Sequence, residues 1–183
     1  MHTQNEKLTN LIKGNPDYFS DKRGRFARLF CTKDFKKILA ERNISQINFS
    51  ESSIKGTIRG MHYQKSPYCE MKIIYCLSGK IFDVAIDVRR KSKTFLECSP
   101  IILDSKNLNF VIIPEGFAHG FQALTDNVTM IYIHTAPHNK EYEETIRFDD
   151  PKLKILWPLK PTNVSVKDSE ASFLSDSFRG IDL

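Results

Sequence analysis

Two runs of this chain place titratable and cationic side chains where chemistry is possible. Gly56-Thr57-Ile58-Arg59-Gly60-Met61-His62-Tyr63-Gln64 holds a permanent cation and a base three residues apart. Arg is the usual partner of phosphate oxygens, and His is the usual base near neutral pH. The run reads as an extended strand, whose faces alternate, so Arg59 and His62 belong on opposite faces. Gly60 between them permits a bulge that re-aims one side chain into a shared pocket. Taken singly, Arg59 also fits a surface cation and His62 a core histidine. The second run is Pro114-Glu115-Gly116-Phe117-Ala118-His119-Gly120. Pro and Gly force a turn, and His119 emerges at the start of the next strand. A metal site built on such a turn needs a His-x-His pair on an earlier strand, but His62 is followed by Gln64. Fewer than three good ligands remain, so no metal is expected. A buried His119 held by a carboxylate such as Asp83 is the better expectation.

The elements around these runs are mostly strands. The 183 residues suffice for one domain over 1–183 with its own core. Hydrophobic residues make up 40% and charged residues 27%, the balance of an ordinary soluble globular protein, and 13 Phe point to an aromatic-rich core. The net charge of +5 suits an anionic ligand but is too mild and too dispersed for a nucleic-acid binder. No apolar run is long enough to span a bilayer, and the polar start Met1-His2-Thr3-Gln4-Asn5-Glu6 is not a signal peptide. Cys31, Cys69, Cys76 and Cys98 lack CxxC spacing and are expected to be reduced thiols, which fits a cytoplasmic protein.

Residues 1–15 are weakly patterned. Asp17 to Phe30 reads as a hairpin around the turn Asp21-Lys22-Arg23-Gly24. Phe35, Ile38, Leu39 and Arg42 fall at helical spacing, which predicts a helix over 34–42, stopped by Asn43 and packed on the outside of a sheet. From 46 to 148 short strands follow one another. In Gln46 to Ser52 a polar face alternates with Ile47 and Phe49. Lys80 to Arg89 turns Phe82, Val84, Ile86 and Val88 one way and Asp83, Ala85 and Asp87 the other. Strands at this spacing predict a mainly β sandwich, jelly roll or barrel, with the core at about 46–148. The tail beyond Pro158 is expected to wrap it, anchored by Phe173, Leu174 and Phe178.

Several motifs in order resemble one family: Gly56-x-x-Arg59-Gly60-x-His62-Tyr63-Gln64, then Lys72, then Phe82-Asp83-Val84-Ala85-Ile86-Asp87-Val88-Arg89, then the 114–121 run, then Ile146-Arg147-Phe148-Asp149-Asp150-Pro151, Trp157-Pro158 and Ser165-x-Lys167-Asp168. Together, from about Phe19 to Asp168, they look like the dTDP-4-dehydrorhamnose 3,5-epimerases. The resemblance implies a cupin-type jelly roll (a double-stranded β-helix), a homodimer, no metal and no cofactor. It also implies a nucleotide-diphospho-4-keto sugar as substrate, in capsule or lipopolysaccharide sugar synthesis. By resemblance His62 is the base, Asp168 orients it, Lys72 stabilises an enolate oxygen and Tyr132 is the acid. An unperturbed phenol, with a pKa of about 10, holds its proton at neutral pH. Arg59, Arg23 and Lys167 match positions that meet the diphosphate, with Phe26, Gln46, Asn48 and His119 as further substrate contacts.

The chain also departs from the family. Arg28 and His138 stand where the family has a Glu and a Tyr that hold the thymine, and Glu70 stands where it has a Gln. Arg offers only donors, and guanine offers two acceptors that Arg meets bidentately. The sequence therefore predicts a nucleotide other than dTDP, with GDP the choice. Two alternatives remain beside a double epimerase: a 3-epimerase or 3,4-ketoisomerase on the same scaffold, and a non-catalytic sugar-nucleotide-binding cupin.

Overall fold

The computed structural model describes residues 1–5 and 11–183. Its strands form two six-stranded layers packed face to face, antiparallel except where Asn163–Val164 joins Thr57–Gln64, the jelly roll expected. The first sheet runs β1(His2–Asn5), β2(Ile12–Asn15), β10(Phe110–Ile113), β7(Lys72–Ser78), β12(Val128–His134), β5(Gln46–Ser52). The second runs β13(Glu143–Thr145), β6(Thr57–Gln64), β11(Phe117–Ala123), β8(Lys80–Asp87), β9(Cys98–Asp104), with β14(Asn163–Val164) also on β6. A separate hairpin, β3(Tyr18–Asp21) and β4(Gly24–Ala27), turns at the predicted residues and pairs only with itself. The four cysteines are free thiols.

Alternation decides what lies between the sheets. Inward residues Ile81, Ala85, Ile74, Cys76, Met130, Val111, Phe117 and Phe121 form the dry core at one end of the sandwich. Outward residues Val84, Ile86, Val88 and Met61 pack under the C-terminal segment with Trp157, Leu174 and Phe178. Of the expected tail anchors, Phe173 is not one: it is half-exposed, under the Arg147 guanidinium. On the first sheet's outer face, Tyr75, Phe110, Ile73 and Ile133 are covered by α1(Thr32–Leu39) through Phe35 and Leu39. The helix is thus placed as predicted but begins and ends earlier than 34–42. The chain leaves it at Ala40, in the left-handed region at φ 51, so Arg42 is free to pair with Glu115.

Strand β5 inverts the usual pattern. Its polar face points inward, while Ile47 and Phe49 are each 62% exposed. A polar inner face on β5 opens the sandwich at the end away from the dry core, and a cavity forms there.

Candidate active site

That cavity measures about 650 Å³ and is lined by β5, β7 and β12 from one sheet and β6 and β11 from the other. Local geometry in β6 brings Arg59 and His62 together. His119 lies opposite His62, but Phe121 lies opposite Arg59, so Gly60 and Met61 together face the single residue Gly120. This β-bulge cancels the alternation. Met61 turns outward into the core under the tail, and both Arg59 and His62 line the cavity. Gly60 sits at φ 109, and a Cβ on it would lie 2.6 Å from the His119 carbonyl oxygen, so only Gly fits.

Asp168 reaches His62 from 106 residues away along the chain. Buried Gln122 holds both the N–H and the carbonyl of Leu159, at 3.0 and 2.8 Å, and fixes the segment leading into β14. There α2(Val166–Ser169), capped by Ser165, points Asp168 at β6. His62 Nε2–H donates to Asp168 Oδ1 at 2.6 Å, and the Gly60 N–H donates to Oδ2 at 3.1 Å. Burial alone would raise the Asp168 pKa. The bond and charge of His62 and the Gly60 amide outweigh it and hold the carboxyl below the usual range. With Nε2–H so engaged, the lone pair of the ring is on Nδ1, and the His62 side chain lines the cavity.

The facing sheet supplies a phenol and a cation. Burial holds the Tyr132 phenol well above the ordinary range, and its hydroxyl lies 3.1 Å from Ser50 Oγ. Lys72 Nζ sits 3.1 Å from Glu70 and donates to the His62 carbonyl at 3.3 Å. His119 Nε2–H donates to fully buried Asp83 at 2.7 Å, and its ring meets Tyr132 edge-on. At the mouth, Glu143 holds Lys167 at 2.5 Å and His138 at 3.4 Å. Among the described cavity cations, Arg59 differs: its partners are neutral, Ser52 Oγ at 3.2 Å and the Glu51 carbonyl at 2.8 Å. Among the described residues no three or more His, Cys, Asp or Glu side chains are arranged to hold a metal ion.

The cavity therefore gathers His62, Asp168, Lys72, Tyr132, Arg59, Gln46, Asn48, His119, His138 and Lys167. It does not gather Arg23, Phe26 or Arg28. Those ride on the separate hairpin and just past it: Arg23 pairs with Asp21 at 2.6 Å, Phe26 is 70% exposed, and Arg28 lies 3.8 Å from Asp34. Sequence reasoning also missed Glu143 and His134. Glu143 sits in a three-residue strand too short to show a period. His134 was legible, since it lies two residues past Tyr132 and so shares its face.

A family model described as dTDP-4-dehydrorhamnose 3,5-epimerase matches residues 5–176. The chain belongs to this family. It is 36% identical over 177 residues to the dTDP-4-dehydrorhamnose 3,5-epimerase of Sinorhizobium fredii, covering 96% of this chain and 91% of that protein. With the Shigella flexneri enzyme of the same name it shares 35% over 169 residues, covering 92% and 93%. Among solved structures it superposes on dTDP-6-deoxy-D-glucose-3,5-epimerase from Legionella pneumophila, in complex with dTDP-4-keto-L-rhamnose, with a TM-score of 0.89 at 36% identity, covering 94% of this chain and 92% of that one. The ligand of the Legionella structure is dTDP-linked, which favours dTDP and lends no support to the expectation of GDP. Arg28 is exposed beside Asp34 and does not line the cavity of its own chain.

Proposed function

We propose that this epimerase inverts carbons flanking the ketone of a dTDP-linked 4-keto-6-deoxy sugar. One observation carries the reading. The His62–Asp168 dyad of one sheet faces a cavity shared with Lys72 and the proton-holding Tyr132 of the other. A ketone at C4 acidifies the protons on C3 and C5. His62 Nδ1 takes one of them, and the C–H electron pair moves onto O4 as an enolate. Asp168 stabilises the imidazolium that forms. Lys72, fixed in the cavity wall, offsets the charge on O4. Tyr132 then returns a proton from the opposite face, and the carbon is inverted. The tyrosinate regains its proton and the imidazolium loses one through solvent, so protons balance over a turnover. Arg59, with no carboxylate to give up, is the natural clamp for the diphosphate, with Lys167 beside it at the mouth.

The assembly proposed is a homodimer. Exposed apolar residues concentrate on the free edge strand, as Ile47 and Phe49, and on the hairpin, as Tyr18, Phe19 and Phe26. In a dimer the hairpin of a second copy could bring Arg23, Phe26 and Arg28 to the cavity that one chain leaves without them. A cytoplasmic enzyme that supplies sugars for capsule or lipopolysaccharide goes with this reading, in line with relatives named as dTDP-sugar epimerases.

Solvent deuterium incorporation into dTDP-4-keto-6-deoxyglucose, followed by NMR, tests the reaction. Deuterium at C3 and C5 supports a double epimerase, and deuterium at C3 alone a single one. No incorporation refutes the reading. Sedimentation of the purified protein at micromolar concentration tests the dimer, which a monomer refutes.

A further inference from the structure

Strand β12 points two aromatic rings into the cavity, Tyr132 and, two residues on, His134. The rings stack with centroids 6.2 Å apart. His134 is the register partner of Lys72 on β7, so it stands beside the cation that faces the enolate oxygen. A chain of amides fixes its protonation. The His138 N–H donates to Gln46 Oε1 at 2.9 Å. Gln46 must then present its NH₂, which donates to Asn48 Oδ1 at 3.0 Å. Asn48 must in turn present its own NH₂, which meets His134 Nε2 at 3.4 Å. Nε2 is therefore the acceptor, and the ring proton is on Nδ1. Burial, reinforced by Lys72, His119 and His138, pushes the His134 pKa down to about 3. All three neighbours that act on it are cations or imidazoles, so no carboxylate draws a second proton onto the ring. Among the described residues Nδ1–H has no protein partner.

We propose that His134 is a specificity-determining residue that donates its Nδ1–H to the hydroxyl oxygen on the substrate's C3. This rests on the cavity being a keto-sugar site. The choice of oxygen follows from the chemistry of the ring. Lys72 takes O4, and a donor beside it reaches an oxygen on a carbon next to C4. In a 4-keto-6-deoxyhexose only C3 carries a hydroxyl; the oxygen on C5 is the ring ether, a weaker acceptor that closes the ring. A neutral donor suits this place. A second cation beside Lys72 would repel it and compete for the enolate oxygen, whereas a neutral N–H orients the sugar without disturbing that charge. It also selects, because a site holding a fixed donor discriminates against an analogue that lacks the matching acceptor.

His134→Phe keeps a ring to stack on Tyr132 and removes the donor. Its kcat/KM for solvent deuterium incorporation is compared with wild type on the dTDP-4-keto-6-deoxy sugar and on the 3-deoxy analogue of that sugar. The loss on the parent sugar is expected to exceed the loss on the analogue by about tenfold. His134→Gln, which restores a donor, should recover part of it. Equal losses on both sugars mean that His134 only supports Tyr132, and they overturn the proposal, as does no loss on either. A wild type that exchanges neither sugar refutes the epimerase reading itself, a result distinct from an active enzyme without selectivity. The ligand-free protein gives an independent check: ¹⁵N–¹H correlation should show the Nδ1–H form of His134 from pH 5.5 to 8. A proton on Nε2, or on both nitrogens, overturns the tautomer and the proposal with it.

Discussion

Asp168→Asn is the sharpest test of the dyad, because the structure dictates how the new amide must turn. The Gly60 N–H donates to Asp168 Oδ2 and needs an acceptor there. If the Asn oxygen stays opposite Gly60, its NH₂ faces His62 Nε2, which in wild type lies 2.6 Å from the carboxylate. The reverse orientation sets NH₂ against N–H and leaves a buried donor unmatched, at a cost of about 1–3 kcal/mol. The first orientation therefore dominates. In it Nε2 must accept, the ring proton moves to Nδ1, and the lone pair there is gone. Removing a general base costs about 10²–10⁴-fold, and the imidazolium loses its counter-charge besides. A fall of about 10³-fold in deuterium incorporation is expected, which corresponds to about 4 kcal/mol. Stability should fall by only about 2 kcal/mol, the worth of one charge-assisted hydrogen bond. Calorimetric binding of dTDP should stay within threefold, since Arg59 is untouched. Exchange within threefold of wild type, or an ¹⁵N spectrum with the proton still on Nε2 of His62, would refute the reasoning.

Gly60→Ala drives a Cβ to 2.6 Å from the His119 carbonyl at a positive φ, so it should cost about 3 kcal/mol or more and lower Tm by roughly 6–12 °C, with activity lost; an unchanged melt would show that β6 and β11 can part freely. Arg59→Met should weaken dTDP binding by calorimetry by about 10- to 100-fold while leaving kcat of the bound substrate within threefold, and a kcat loss without a binding loss would remove Arg59 from the phosphate. Burial opposes the charge on Asp87, but Arg89, Ser92, Thr94 and the Arg89 N–H hold its pKa below 3.8. Its stabilisation is therefore present above that pH and lost as pH falls through the lower folded value. Asp87→Asn should lower Tm by about 4–8 °C at pH 7 and by progressively less toward pH 3, and a deficit independent of pH would contradict the assignment. His119→Phe strands fully buried Asp83 and should lose about 3–5 kcal/mol, most of it recovered by adding Asp83→Val; a double variant no more stable than the single would show that the pair is not costly to bury.

What the sequence made legible was what period and turn chemistry encode. The alternation in Lys80 to Asp87 separates the outer Phe82 and Val84 from the inner Asp83 and Ala85, and the structure keeps that split. The bulge at Gly60 was foreseeable because alternation alone could not put Arg59 and His62 on one face. Strands β1 and β2 were not legible. His2–Asn5 and Ile12–Asn15 have no alternating pattern; β2 is extended against the edge of β10 and β1 against β2, so the cause is long-range. The helix end at Ala40 was missed for a similar reason, since Arg42 continues the helical spacing but is drawn to Glu115, 73 residues on. Arg28 shows the limit of reading a role by position. It occupies the family's base-reading place in the chain, yet the place in space belongs to a hairpin that stands apart from its own cavity.

The distribution of charge explains why the cavity can exist inside a sandwich at all. Ionised groups buried singly cost several kcal/mol each, and a jelly roll has few places to hide them. Here each carboxylate lining the cavity has a basic partner, Asp168 with His62, Glu70 with Lys72 and Glu143 with Lys167, and buried Asp83 behind the wall pairs with His119. Pairing keeps the empty cavity near neutrality, so the fold bears little net repulsion before substrate arrives. It also sets where a dianionic ligand goes. Binding phosphate at Lys72 or Lys167 would mean competing with a carboxylate already in contact, while Arg59 has only a hydroxyl and a carbonyl to yield. On the proposed reading the phosphates go to the β5–β6 side. The sugar would then face His62, Lys72, Tyr132 and His134, the groups whose chemistry suits a ketone rather than an anion.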